Sequence, residues 1–355
     1  MRTLQTYVLR QLVVSLAFAL AGISFVIFPG LTVSAAHKLQ GAGVEALVRY
    51  MPLLAIDLVP YPVPMAFLLA VVSTFGRLAA DNEWTALRMA GVHPLRMLLP
   101  GLLVAAVLSV GTAWLVSSVS PAWKHKQRLF KRQALSTALK TLYPGRTSIH
   151  IGDFYLNSFR RRGNQFEEVL VYLPGTGERD AAKLVSDVAH IDLRGDVLVM
   201  EFENARWVQG GGDVTIANPV IELPLDSLVE EDTVPRNRAK FMGNLEILEA
   251  VRSGELEPGR AREFTYEFHK RLALSFTYVL FLLLGAPTGV WLRKGTQLGA
   301  LAVAVLYAIF YYVFSMQIGK ELALFGAVPT YAAAWSTTAV GMLFGLVALR
   351  RVFLR

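Results

Sequence analysis

"EFHKRLALSFTYVLFLLLGAPTGV", residues 267–290, is the stretch on which the fold turns. Before it, residues 121–268 read mostly as short polar and β-branched runs; from Leu272 the chain is apolar for a whole span. At about 1.5 Å per residue, twenty such residues cross the roughly 30 Å of a bilayer's hydrocarbon. Downstream, two more apolar segments follow near 297–319 and 330–349, and upstream there are three, near 11–36, 51–76 and 97–120. The expected architecture is an α+β membrane protein: six transmembrane helices in a 3+3 arrangement, with a β domain inserted between the triplets. The expected boundaries are 1–120, 121–268 and 269–355.

Composition supports a lipid solvent. The chain has 355 residues, 54% hydrophobic and 17% charged, where a soluble domain carries about a quarter charged. Residues 11–36 follow Arg2 and Arg10 and end in Ser34-Ala35-Ala36, a leader-like pattern. That apolar stretch exceeds the usual 7–15 residues of a secretory core, so a retained first span is expected. The second segment carries Pro52, Pro60, Pro62 and Pro64, which predicts a broken helix.

The insert contains "SIHIGDFYL" (148–156), "FEEVLVYL" (166–173), "VLVMEFENARWV" (197–208) and "VTIANPVIELPL" (214–225), separated by turn chemistry such as "PGTGERD" and "QGGGD". These are strand signals, and an antiparallel sandwich or open roll is expected. Its apolar inner face is either a packed core or a groove for acyl chains. Residues 244–272 return to helical spacing.

Ten Lys or Arg near the spans fall on the side of the termini and the 77–97 connection (Arg2, Arg10, Arg77, Arg88, Arg96, Arg293, Lys294, Arg350, Arg351, Arg355), against Lys38, Arg49 and Lys320 on the other. The positive-inside rule makes the first side cytoplasmic and the β domain periplasmic. "WKHKQRLFKR" (123–132) and "HKR" (269–271) add cations beside the β domain, but long translocated domains escape the rule. The first of these reads as a membrane-surface or solvated helix rather than a nucleic-acid site.

Several chemistries are excluded. There is no cysteine, hence no thiolate nucleophile or disulfide. No phosphate-binding loop of the GxxxxGK[ST] type and no HExxH occurs, and the six histidines lack metal-ligand spacing. Asp57 is the main ionisable candidate in a span, too little for an ion-coupled carrier. "GAPTG" (285–289) reads as small-residue helix packing.

The connection 77–97 is richer than a loop needs to be. Asp81 is expected to N-cap a helix of roughly nine residues, with Glu83 at its positive end, Arg88 at its negative end, Gly91 at C′ and Pro94 beyond. Trp84 and Leu87 share a face beside Arg88. Such a helix suits a groove in a soluble partner, as a coupling helix does in an ATP-driven permease; the plainer alternative is an interfacial anchor.

"DNEWTALRMAGV" (81–92) resembles the coupling-helix motif of the lipopolysaccharide-export permeases, the LptF/LptG subunits: an acid, then an aliphatic position, then a glycine. The stretch 267–290 is similar to that family's fourth span, and "GDVLVMEFENARWV" (195–208) to its jellyroll-like β domain. Ser275 stands where the family usually has proline. The resemblance implies a non-catalytic permease subunit without a cofactor of its own. Its partners would be a cytoplasmic ATPase dimer that uses ATP and Mg, a second similar permease, and a periplasmic β-structured bridge. Its cargo would be lipopolysaccharide, not nucleic acid. It further implies that Glu83 meets the ATPase, with Asp81, Trp84, Leu87 and Arg88 in support. Lys38, Arg49, Lys270, Arg271 and Lys320, at the outer ends of the spans, are candidates for the lipid's phosphates or for ordinary headgroup anchoring. A sensor with an extracytoplasmic β domain, and an exporter of another lipid, stay open at this point.

Overall fold

The structure, a computed structural model, describes residues 2–39, 44–140, 147–151, 154–162, 165–173, 182–194, 197–209, 212–224, 239–292, 297–326 and 328–353. Among these, six helices are long and apolar enough to cross a membrane: Thr3–Ala36, Pro62–Ala80, Pro94–Gln127, Pro258–Trp291, Ala302–Leu324 and Thr330–Phe353. An antiparallel sheet lies between the third and fourth in sequence. The chain forms two compact units. One comprises Met1–Phe28, Asp57–Ala122 and Asn237–Arg355; the other comprises Pro29–Ile56 and Trp123–Arg236. The described helices that follow the sheet belong to the first unit.

Helix α1 (Arg2–Lys38) runs 37 residues, about 55 Å, well beyond one hydrocarbon thickness. The proline cluster breaks the next segment as read. Helix α2 (Val44–Leu58) stops, a turn closed by Tyr61 N–H on Leu58 O intervenes, and α3 (Pro62–Ala80) restarts with proline in its first turn, where the missing N–H costs nothing. The short α4 (Glu83–Met89) leads to α5 (Pro94–Trp114). That helix continues through a π-turn, Leu115–Val119, into α6 (Ser120–Lys140). After the sheet come α7 (Asn244–Arg252), α8 (Pro258–Ser275), α9 (Thr277–Trp291) and α10 (Gln297–Val313). A second π-turn, Phe314–Ile318, leads into α11 (Gly319–Leu324), and α12 (Thr330–Phe353) closes the first unit.

The fourth span is interrupted at Phe276, and the Ser275 hydroxyl donates to Arg271 O at 3.0 Å. A side chain that bonds the carbonyl one turn back bends a helix.

The tightest packing joins α3 to α9, where small residues let backbones meet. A Cβ placed on Gly289 falls 2.6 Å from Val72 O and 2.9 Å from Gly76 N. Both obstacles are backbone, so neither can swing aside. We expect Gly289→Ala to cost about 1–3 kcal/mol. Gly111→Ala, where nothing lies within 4 Å, should be near neutral. Unfolding of the two variants in lipid nanodiscs checks this; equal stabilities would mean that the helices separate freely. Hydroxyls stitch the rest: Thr112 with Tyr278 at 2.7 Å, Thr277 to Tyr311 at 2.9 Å, and Tyr311 with Thr338 at 3.2 Å. In lipid a buried hydroxyl needs such a partner.

Among the described residues the sheet has eight strands: β1 (Thr147–Ile151), β2 (Phe154–Arg162), β3 (Gln165–Leu173), β4 (Ala182–Arg194), β5 (Val197–Glu203), β6 (Ala205–Gln209), β7 (Gly212–Ile216) and β8 (Val220–Pro224). Pairing runs β1-β2-β3-β4-β5-β8, with β6 between β4 and β7. The register shows that β5 and β6 are one bent strand along β4, since Val188↔Glu203 and Lys183↔Val208 keep the same offset. Likewise β7 and β8 are one bent strand along β6 and β5. The result is a meander in one continuous antiparallel sheet.

The bends fall on one line. Glu168, Asn204 and Asn218 have positive φ (52°, 51° and 52°). Along β3 the buried positions change from Phe166 to Val169 and Val171, and along β5–β6 from Met200 and Phe202 to Ala205. At Glu168 and Asn204 the inward phase shifts by one residue while the pairing with neighbouring strands keeps a constant offset, so no residue is inserted as a bulge would require. The disturbed carbonyls are met by buried serines: Ser158 Oγ donates to Glu167 O at 3.1 Å, and Ser186 Oγ lies 2.6 Å from Glu203 O. Phe166, Val169, Val171, Leu184, Met200 and Phe202 are fully buried. At those positions the inner face is packed core.

Candidate functional site

Helix α4 begins one step later than the capping pattern suggests. Asp81 ends α3, its N–H bonded to Arg77 O at 2.9 Å, and Asn82 leads into α4 in a left-handed conformation (φ 57°) with no side-chain cap. Asp81 is thus not an N-cap, and the helix has seven residues rather than nine. The expected stop is present: Gly91 has φ +78° and Val92 N–H reaches back to Leu87 O, a Schellman-type closure.

The apolar ridge is turned against the protein's own core. Trp84 is 5% exposed and stacks edge-on against Phe353 (4.5 Å between centroids) and Phe75 (6.4 Å). Leu87 packs against the same core, half-buried. Trp84 therefore fixes α4 to α3 and to the end of α12. Glu83 is held as well: the Tyr7 hydroxyl of α1 lies 3.0 Å from each carboxylate oxygen, and Gln11 Nε2 donates to Tyr7 Oη. What α4 leaves exposed is Thr85, Ala86, Arg88 and Met89, beside the exposed Asp81. An open groove of about 790 Å3 adjoins this surface, lined by Trp84, Thr85, Arg88, Met89, Val290, Trp291 and Val352. Sequence reasoning missed Tyr7, Phe353 and the groove, because each arises from residues distant in the chain.

The outer cations separate into different environments. Arg271 is 3% exposed and wholly engaged: it donates to Ala239 O (2.8 Å), Met242 O (2.8 Å), Asn244 Oδ1 (3.1 Å) and Glu267 (3.3 Å). Three of these four bonds hold residues 239–244, the segment after the sheet, so Arg271 is committed within the protein rather than presented at the surface. Asn244 extends this junction by donating to Ser117 Oγ at 2.8 Å in the first π-turn, and Tyr266 Oη of α8 donates to Ser315 O at 2.7 Å in the second. Lys270 pairs with Glu267 and is half-buried, while Arg49 forms an exposed pair with Glu45 one turn back. Lys320 is exposed. Lys38 ends α1, and its side chain lies outside the described residues. Asp57 accepts from Ser120 Oγ at 2.8 Å, beside the broken second span. Among the described residues, no three His, Asp or Glu gather as metal ligands would.

No curated protein matches the chain. A family model described as "Lipopolysaccharide export system permease LptF/LptG" matches residues 6–351, which takes in α4, the sheet and all six spans. The chain therefore belongs to the LptF/LptG family of lipopolysaccharide export permeases, and is a multi-pass protein of the inner membrane.

Proposed function

We propose that this permease is the membrane half of an ATP-driven exporter. A cytoplasmic ATPase dimer binds α4, a second similar permease faces it, and lipopolysaccharide leaves the cavity between them for a periplasmic β-structured bridge. The termini and α4 are cytoplasmic in this reading and the sheet is periplasmic, in keeping with the distribution of Lys and Arg. ATP and Mg belong to the ATPase; this chain contributes no catalytic group. Lys38, Arg49, Lys270 and Lys320 are the outer cations proposed for the lipid's phosphates.

One observation carries the reading. The short helix that would meet the ATPase is locked to three spans at once, through Trp84 to Phe75 of α3 and Phe353 of α12, and through Glu83 to Tyr7 of α1. An interfacial anchor gains nothing from such a lock, whereas a lever requires it. Force applied at Asp81, Glu83 and Arg88 passes into α1, α3 and α12 without a flexible joint.

The test uses the exporter purified from its native membrane and reconstituted. Glu83→Lys should weaken ATPase association by at least about 2 kcal/mol, roughly thirtyfold in Kd. Tyr7→Phe removes a hydrogen bond of about 1 kcal/mol, so Kd should change by only about fivefold, while the ATP hydrolysed per lipid exported rises. Native association and export with Glu83→Lys would refute the coupling role.

A further inference from the structure

The groove beside α4 has no part in the reading so far. It is walled by Trp84, Thr85, Arg88 and Met89 on one side and by Val290, Trp291 and Val352 on the other. Two of these are large and open to solvent, Met89 at 79% and Trp291 at 77% exposed. Its volume, about 790 Å3, lies within the roughly 300–1,000 Å3 of sites that bury a compact ligand or a few side chains.

Size argues that α4 cannot be the whole contact. Seven residues make a rod about 10 Å long, and its Trp84 side is already spent on the permease's own core. The exposed remainder falls far short of the roughly 800 Å2 per partner that a stable interface buries. The adjoining groove is continuous with that remainder, since four of its seven lining residues belong to α4. Charge indicates the chemistry of what fills it. Arg88 stands in the wall, and Arg350 and Arg351 are exposed next to Val352 in the chain. The nearby carboxylate of Glu83 is taken by Tyr7.

We infer that this groove receives a projecting element of the ATPase, an apolar side chain flanked by carboxylates, so that the two proteins interlock in both directions. This rests on the α4 coupling reading and extends it. A rod seated in a partner transmits a push. A partner's knob seated in return also transmits the pull, so the opening of the ATPase dimer resets the permease as firmly as its closing drives it. The apolar part lies against Met89, Trp291 and Val352, and the carboxylates face the arginines, which sets orientation and speeds encounter.

The absence of cysteine makes the test clean. Single variants Trp291→Cys and Val352→Cys report the groove, and Ala86→Cys reports the exposed face of α4 outside it. Each is reconstituted with its partner permease, and labelling by a small maleimide is timed with and without the ATPase. The expected result is slowing by at least about tenfold at all three positions when the ATPase binds, a difference of about 1.4 kcal/mol in accessibility. Slowing at Ala86→Cys alone overturns the inference and leaves the α4 reading standing. Slowing at none overturns both. Protection of the groove positions in phosphatidylglycerol vesicles lacking the ATPase, absent in phosphatidylcholine, overturns it in favour of an anionic headgroup.

Discussion

In the isolated permease, with no ATPase present, Trp84→Ala is expected to lower stability by about 3–5 kcal/mol, the usual cost of deleting a buried indole. The ring is 5% exposed and closes an aromatic cluster with Phe75 and Phe353, which themselves lie 6.2 Å apart. A side chain waiting for a partner behaves differently: its loss leaves the free subunit unchanged and weakens only the complex. Unfolding of the free subunit in nanodiscs separates the two. If stability holds and only ATPase affinity falls, then Trp84 swings outward and the lever loses its fixing to α12. If stability falls as expected, ATPase coupling should fall with it, because α4 is no longer held against the spans.

Arg271→Ala should be comparably severe, also about 3–5 kcal/mol, since removing one partner of a buried charge network strands the others. Four acceptors lose their donor at once: Ala239 O, Met242 O, Asn244 Oδ1 and Glu267. Arg271→Lys should recover only part of this, because a point charge on a flexible stem cannot span two carbonyls and an amide as a planar fork does. Limited proteolysis gives a second readout, with cleavage expected between 239 and 252 once the fork is gone. Full stability in Arg271→Ala, with lipid-stimulated ATP hydrolysis alone reduced, would restore the phosphate contact that the sequence suggested.

The legibility of this chain divides by range. Length, hydropathy and the proline cluster were sufficient for six spans around a sheet, because those signals are local. Glu83 and Arg88 stand out as charges between two apolar runs, and α4 forms where they are. The direction in which Trp84 points is not local: it depends on Phe353, near the far end of the chain. Asp81 has the right chemistry for a cap, yet α3 extends far enough to claim its N–H, a competition between two helices that no propensity decides. The surroundings of Arg271 are hidden for the same kind of reason. A basic pair at the edge of a span looks like a lipid handle until residues 239–244 fold over it. The π-turns at 115–119 and 314–318 carry no proline, and nothing in their composition announces them.

The line of bends across the sheet has a consequence at its margin. Because Asn218 carries the defect out to the strand β7–β8, that border is not a plain ladder on which any extended peptide can dock. A newcomer paired along 212–216 and 220–224 keeps its register, but a strictly alternating sequence turns its greasy side chains the wrong way past the bend, unless its own alternation breaks at the same height. The dislocation thus acts as a key cut into the rim: it refuses promiscuous strands, which is how natural sheets avoid clumping, and admits a neighbour built with the complementary notch.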